Sequence, residues 1–260
     1  MADLEKNDDR DIYGRVVIIT GAGQGIGRQY AHSFAKAGAI PVIADINSQN
    51  ARRVEREVSD AGGQGLAVKV DVSDPESCLG MAREALNAFG RIDVLINNAA
   101  LFAALKKYPF DEIPLGDWND VMNVNINGPF HCARAVSPIM REAGWGRVIN
   151  ISSSSVAQGN INYLHYVTSK SAMLGMTNAL AREVGASGVT VNCIVPSATT
   201  TEVARDGFTE ETAKRVAANQ CISNPATPED LVGLAMFLAS PASAFVTGQT
   251  IAANGGLTHG

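Results

Sequence analysis

Apolar residues in this chain gather in short unbroken runs. Arg15-Val-Val-Ile-Ile-Thr20 is bounded by glycine and has no polar position between its ends, the pattern of a strand covered on both faces. Comparable runs recur at Ile40 to Asp45, Gly65 to Val70, Ile92 to Asn97, Arg147 to Ser152, Val189 to Val195 and Gln249 to Asn254. Helical patterns fill most of the gaps. Asn47 or Ser48 can cap a helix through Ala61, and Ser73-Asp74-Pro75 places a cap and an early proline before Glu76 to Phe89. Gly62-Gly63 and Gly90 stand where these helices should stop. Such alternation predicts βαβ units in an α/β, doubly wound, three-layer αβα domain with a parallel sheet of about seven strands.

No proline- or serine-rich linker divides the chain, and no repeat has a fixed period. Residues 1–13 read as a flexible polar lead and 14–260 as one domain. The strand pattern lapses from Pro196 to Pro228, where Thr209 to Asn219 reads as a short amphipathic helix. An excursion of that length predicts a substrate loop over about 196–228.

Composition narrows the function. The 260 residues carry a net charge of -5, which excludes the broad basic surface that sequence-independent nucleic-acid binding requires. The longest aliphatic runs are too short to span a bilayer, and the first ten residues lack the apolar core of a secretion signal. The expectation is a cytoplasmic protein without membrane or nucleic-acid partners. Cys78, Cys132, Cys193 and Cys221 are scattered without a CxxC pair, which suits a reducing compartment and no metal site. The charged fraction of 18% lies below the roughly 25% usual in soluble domains, a hint of self-association.

The most informative turn follows the first strand: Thr20-Gly-Ala-Gly-Gln-Gly-Ile-Gly27, then a helical pattern from Arg28 to Ala37. Glycines admit positive φ and let a phosphate approach backbone N–H groups at a helix N-terminus, where the helix dipole favours an anion. Gly21, Gln24, Gly25, Ile26 and Gly27 are therefore candidate cofactor contacts. The second strand ends at Asp45, eighteen residues beyond Gly27, close to the roughly twenty expected of a carboxylate on an adenosine ribose. That carboxylate repels a 2′-phosphate, and its neighbours Ile46 and Gln24 bring no cation, so NAD is favoured over NADP.

These residues resemble the T-G-x-x-x-G-x-G motif of the short-chain dehydrogenase/reductase family, a Rossmann-fold family, and the resemblance runs from Gly14 to Gly256. It implies that Asp71 with Val72 meets the adenine. The family's fourth strand ends N-N-A-G, whereas here Asn97-Asn98-Ala99-Ala100 puts alanine last. Asn98 is still expected at the cofactor, with some adjustment of the loop after it.

Tyr166 and Lys170 lie four apart on a helix expected from about Asn162 to Gly185, so they share a face. A lysine charge about 4 Å away stabilises a phenolate by about 4 kcal/mol at an effective dielectric of 20. Ser153 precedes Tyr166 by thirteen residues, the family's spacing for its catalytic serine, although the run Ser152 to Ser155 leaves the register open by one. Asn125 stands in Trp118-x-x-Val-x-x-Val-Asn-x-x-Gly128, which matches the family helix that carries its fourth catalytic residue. The resemblance implies Tyr166 as general acid/base and Ser153 as the group that orients the substrate oxygen. It implies Lys170 on the nicotinamide ribose, lowering the Tyr166 pKa, and Asn125 holding a water that links Lys170 to solvent.

After the sixth strand the family has P-G and then a threonine on the nicotinamide carboxamide; here Pro196-Ser197 is followed by Thr199 and Thr201, both candidates. Tyr163, His165, Trp145 and the Pro-Ser variant resemble members that oxidise aryl secondary alcohols, such as phenylethanol dehydrogenases, or pyridoxal-type alcohols. The implied reaction is NAD(H)-dependent hydride transfer to or from a small alcohol or ketone. Alternatives are a 3-oxoacyl carrier-protein reductase, a sugar, polyol or steroid dehydrogenase, and a non-catalytic NAD sensor. His165 points about 100° away from Tyr166 on a helix, so packing or an interface is its expected role, and Arg205-Asp206 reads as a solvated charge pair. The family commonly forms tetramers through Trp118 to Ala143, Asn162 to Gly185 and Gly248 to Gly260, all sparse in charge here, so a homotetramer or homodimer is expected.

Overall fold

The direction of alternate side chains explains why the apolar runs become strands. In the computed structural model, which describes residues 12–205 and 208–259, β1 (Val16–Thr20) sends Val16 and Ile18 into one core and Val17 and Ile19 into the other. Every residue of that strand is buried, so its sequence has no polar face. The expected lead and Asp206 lie outside the described residues, except that Ile12 is buried and Tyr13 exposed.

The elements continue in the expected order. They are α1 (Gly25–Lys36), β2 (Ile40–Asp45), α2 (Ser48–Asp60), β3 (Leu66–Lys69), α3 (Pro75–Phe89), β4 (Val94–Asn97), α4 (Leu115–Met122) and α5 (Gly128–Glu142). After these come β5 (Gly146–Ile151), α6 (Ser155–Gln158), α7 (Leu164–Val184), β6 (Val189–Pro196), α8 (Glu210–Ala217), α9 (Glu229–Ala239) and β7 (Thr250–Ala253). Seven parallel strands run in the order β3-β2-β1-β4-β5-β6-β7. One core holds α3, α5 and the end of α7; the other holds α1, α2 and α9. This is the three-layer, doubly wound arrangement that the patterning predicts.

Local chemistry sets the helix ends. The Asn47 side chain accepts hydrogen bonds from Gln49 and Asn50 N–H, so Asn47 is the cap of α2, and Asp74 caps α3 through Glu76 N–H. Gly90 closes α3 in the left-handed conformation. Two long helices differ from expectation. The rod expected from Trp118 to Ala143 is α4 and α5 joined by a π-helical turn at Asn123–Asn127. The helix expected from Asn162 begins at Leu164, because Asn162 sits at φ 65, a conformation that asparagine tolerates but a helix does not.

The strand order reverses between β1 and β4. Connections there depart to opposite faces and leave a crevice beyond the strand ends, the usual ligand site of such sheets.

Candidate active site

A cavity of about 620 Å³ fills that crevice. One end is built almost wholly of backbone. Gly21 and Gly25 have φ of +63 and +59, and a Cβ on Gly27 would lie 2.7 Å from the Asn98 side-chain nitrogen and closer still to Gly21 O. Only glycine fits at Gly27, and the left-handed pair would strain any other residue. Thr20 and Asn98 lock the turn to the end of β4. The Thr20 hydroxyl oxygen accepts from Asn98 and Ala99 N–H at 3.1 and 3.0 Å, and Asn98 Nδ2 donates to Thr20 O at 2.9 Å. Ala100 needs no positive φ, since Asn162 is the one non-glycine residue with positive φ among the described residues. The alanine in place of glycine is thus accommodated without left-handed strain.

Asp45 lines the same end and is buried. Its two carboxylate oxygens accept from Gly23 N–H at 2.8 Å and Asn47 N–H at 2.9 Å, so it staples β2 to the glycine turn. Arg53 was not visible as a neighbour in the sequence, yet it reaches back from α2 to donate to Gly23 O at 2.8 Å. Asp71 and Val72 form the far wall; Asp71 accepts from the Ser73 N–H and hydroxyl at 2.9 and 2.6 Å. A bare turn, a helix N-terminus and a carboxylate at the second strand suit a dinucleotide's pyrophosphate and ribose.

Glu202 is a second residue the motif does not reveal. Its carboxylate accepts from Gly25 N–H at 3.0 Å and lies 3.6 Å from the Arg28 guanidinium. Those hydrogen bonds and the guanidinium hold its pKa below the ordinary glutamate value against the effect of burial.

The middle of the cavity brings together Ser153, Tyr166 and Lys170. The Ser152 hydroxyl is turned away to donate to Lys170 O at 2.8 Å, whereas Ser153 lines the cavity and acts to lower the Tyr166 pKa. Burial nevertheless pushes the Tyr166 phenol up to about 12; Tyr163 adds to the rise, while Ser153 and Arg205 oppose it. Lys170 Nζ donates to Ile151 O at 2.8 Å and lies 6.0 Å from the Tyr166 ring centroid. Burial brings Lys170 itself down to about 8, with Cys193 opposing.

Asn125 is buried in the π-helical turn, a form often found at functional sites. Its Oδ1 accepts from Leu101 N–H at 2.7 Å, and Nδ2 donates to Leu101 O at 3.3 Å and to Ser169 Oγ at 3.0 Å. It therefore ties the loop after β4 to α7 beside Lys170. Thr199 and Thr201 both line the cavity; Thr199 donates to Ser197 O at 3.1 Å, and Thr201 Oγ1 accepts from Val203 N–H at 3.3 Å. Ser197, where the family has glycine, uses its hydroxyl to accept from Gln220 Nε2 at 2.8 Å, which pins the end of the excursion to β6.

At the other end the walls are aromatic and cationic. Phe102 stacks on Tyr166 at 4.6 Å, and Tyr163 meets Tyr166 edge-on at 6.0 Å. Arg205 is half-buried here with its guanidinium 3.8 Å from the Phe208 centroid, not an exposed charge. His165 is fully buried, is absent from the cavity wall, and has neither ring nitrogen hydrogen-bonded, which fits packing.

A doubly wound parallel sheet with a glycine turn at its switch point defines a Rossmann-like protein. The chain belongs to the short-chain dehydrogenase/reductase family: the family model described as enoyl-(acyl carrier protein) reductase matches residues 21–258. It is similar to 7alpha-hydroxysteroid dehydrogenase of Escherichia coli K12, 33% identical over 250 residues, 96% of each chain. A solved 7alpha-hydroxysteroid dehydrogenase complexed with NADH and 7-oxo glycochenodeoxycholic acid has a TM-score of 0.88 at 32% identity, covering 94% of each chain. A provisionally named NAD(P)-dependent gluconate 5-dehydrogenase from Beutenbergia cavernae, with NADP bound at low occupancy, has a TM-score of 0.87 at 37% identity, covering 96% of this chain and 98% of its own. These relatives support an oxidoreductase acting on CH–OH groups with a nicotinamide cofactor and a small-molecule substrate. No helix among the described residues is long and apolar enough to cross a membrane.

Proposed function

We propose that the protein is an NAD(H)-dependent dehydrogenase or ketoreductase that interconverts a secondary alcohol, aryl or cyclic, and its ketone. The observation that carries this reading is the meeting of Ser153, Tyr166 and Lys170 on one wall of the cavity whose far end is the glycine turn and Asp45. Bound nicotinamide supplies the hydride acceptor or donor. Gly21, Gln24, Gly25, Ile26 and Gly27 would cradle the pyrophosphate, Asp45 the adenosine ribose, Asp71 with Val72 the adenine, and Asn98, Thr199 and Thr201 the nicotinamide side.

Ser153 would hold the substrate oxygen and Tyr166 would exchange a proton with it. A phenol pushed up to about 12 is protonated at neutral pH and ready to donate to a ketone oxygen as hydride reaches the carbon. Oxidation needs the phenolate, which Ser153, Arg205 and a repositioned Lys170 would stabilise. Asn125 would keep the Leu101 loop and α7 in register around Lys170. Asp45 would give NAD its preference by repelling a 2′-phosphate; Arg53 is engaged by Gly23 O and lies 3.9 Å from Glu57.

Residues 14–260 would act as one catalytic domain, with 196–228 closing over the substrate. A homotetramer or homodimer is proposed, supported by exposed Phe130 on α5, Leu164 on α7 and Phe245 before β7. The four cysteines form no disulfide, which agrees with a cytoplasmic location.

Tyr166→Phe tests the chemistry. NADH binding, followed by fluorescence, should persist while turnover of a ketone panel falls at least about hundredfold; retained turnover would remove Tyr166 from the reaction. Titration with both cofactors tests the preference, and tighter binding of NADPH would overturn it.

A further inference from the structure

We propose that the substrate carries a carboxylate on its aryl or cyclic body and that Arg205, assisted by Lys107, binds it. This inference rests on the dehydrogenase reading and adds the class of substrate.

The charge of the cavity wall is the first observation. The chain as a whole is acidic, with 26 carboxylate residues against 21 cationic ones. Both carboxylates of the wall, Asp45 and Asp71, stand at the glycine-turn end. Lys107 and Arg205 stand at the other, where the wall contains no acidic side chain. A net-negative protein whose only charged side chains at one end of its cavity wall are cations presents a local field for an anion there.

The state of Arg205 is the second observation. One guanidinium nitrogen, Nη2, donates to Thr199 O at 2.6 Å. Its Nε is buried without a hydrogen-bond partner, and no carboxylate among the described residues forms a salt bridge with it. A buried unpaired donor is costly. Burial accordingly lowers the Arg205 pKa, while the two neighbouring tyrosines raise it. A carboxylate suits the planar guanidinium, whose fixed fork of donors lysine does not offer.

Reach is the third observation. The Arg205 guanidinium carbon lies 3.8 Å from the Phe208 ring centroid and 5.6 Å from that of Phe102. Phe102 in turn stacks on Tyr166 at 4.6 Å. The cation thus sits one aromatic ring away from the phenol that handles the substrate oxygen. A molecule spanning that interval needs a reactive carbon at Tyr166, a flat or cyclic apolar body beside Phe102 and Tyr163, and an anion at Arg205. Lys107, 5.3 Å from the Tyr163 ring centroid, adds positive charge on the same side.

Two matched pairs test this: 4-acetylbenzoate against its methyl ester, and 4-oxocyclohexanecarboxylate against its methyl ester, reduced with NADH. Each acid should have a KM at least tenfold below its ester, about 1.4 kcal/mol. Arg205→Met should collapse that ratio to near one, Arg205→Lys should restore part of it, and Lys107→Met should reduce it less. Melting curves identify a variant that fails to fold, in which case the lysine variant and the wild-type ratio decide.

Calorimetric binding of benzoate and cyclohexanecarboxylate, with and without NADH, supplies a readout independent of turnover. Arg205-dependent binding without reduction of any ketone would defeat the dehydrogenase reading, and with it the claim about a substrate, while leaving a carboxylate site at Arg205. Reduction of the esters at a KM equal to that of the acids, or a ratio that survives Arg205→Met, would defeat this proposal and leave the dehydrogenase reading standing.

Discussion

The two ends of the cavity are made of different materials. The glycine-turn end consists of strand termini and backbone, fixed by Thr20, Asn98 and Asp45 through hydrogen bonds of 2.8 to 3.1 Å. The aromatic end consists of side chains on two excursions, the loop after β4 and the segment after β6, held by ring stacking and by single contacts such as Gln220 to Ser197. Side chains can be exchanged at the second end with less disturbance to the backbone than at the first. The contrast predicts that substitutions at the first end damage the fold and those at the second alter selectivity.

The largest effect should follow from placing a methyl group in the backbone end. In Gly27→Ala the added Cβ meets Asn98 Nδ2 at 2.7 Å as well as Gly21 O, and overpacking of this kind costs about 1–3 kcal/mol. Thermal melting should show that loss together with weakened NADH binding. Phe102→Ala, at the other end, should leave the melting temperature nearly unchanged and shift the KM of the ketone. Equal loss of stability in both variants would erase the distinction.

Lys170 stands where the ends meet, and it makes stability depend on pH. Its pKa in the folded protein is about 8, against about 10.4 in an unfolded chain. Between those values the unfolded state binds more protons, so stability rises with pH across that window and is constant below it. Tyr166 acts oppositely: its folded value of about 12 exceeds the unfolded value of about 10, so its contribution falls once pH passes 10. Relative to Lys170→Met, the wild-type protein without cofactor should gain about 1.5 kcal/mol from pH 8 to 9.5. A flat difference between the two melting profiles would contradict burial of the ammonium group.

Legibility in the sequence follows the same division. The central strands β1, β2, β4, β5 and β6 were readable because they are buried on both faces, and the caps Asn47 and Asp74 because a short polar side chain before a helix has one local use. Gly21, Gly25, Gly27 and Asp45 were readable because strand, turn and helix fix their geometry within thirty residues. The sequence does not display the π-helical turn around Asn125, since the extra residue answers to packing against Leu101 and Ser169. Arg205 reads as a surface charge until Phe102 and Phe208, distant or separated in sequence, close around it. Ser197 reads as a lost glycine until Gln220, twenty-three residues on, is seen to use its hydroxyl. Contacts between excursions leave no periodic trace, so only the folded chain reveals them.

Glu202 tests whether the two ends are independent at all. It belongs to the excursion after β6, yet its carboxylate sits on the first N–H of α1, the group a bound pyrophosphate would claim. A negative side chain there stabilises the helix end by about 0.3–1 kcal/mol, and a dinucleotide must displace it or tolerate its charge. Glu202→Gln keeps the shape and removes the charge. It should tighten NADH binding about two- to fivefold at low ionic strength, with the gain shrinking as salt screens the repulsion. Weaker NADH binding in that variant would show instead that Glu202 positions the turn for the cofactor, and the excursion would then be part of the cofactor site as much as of the substrate site.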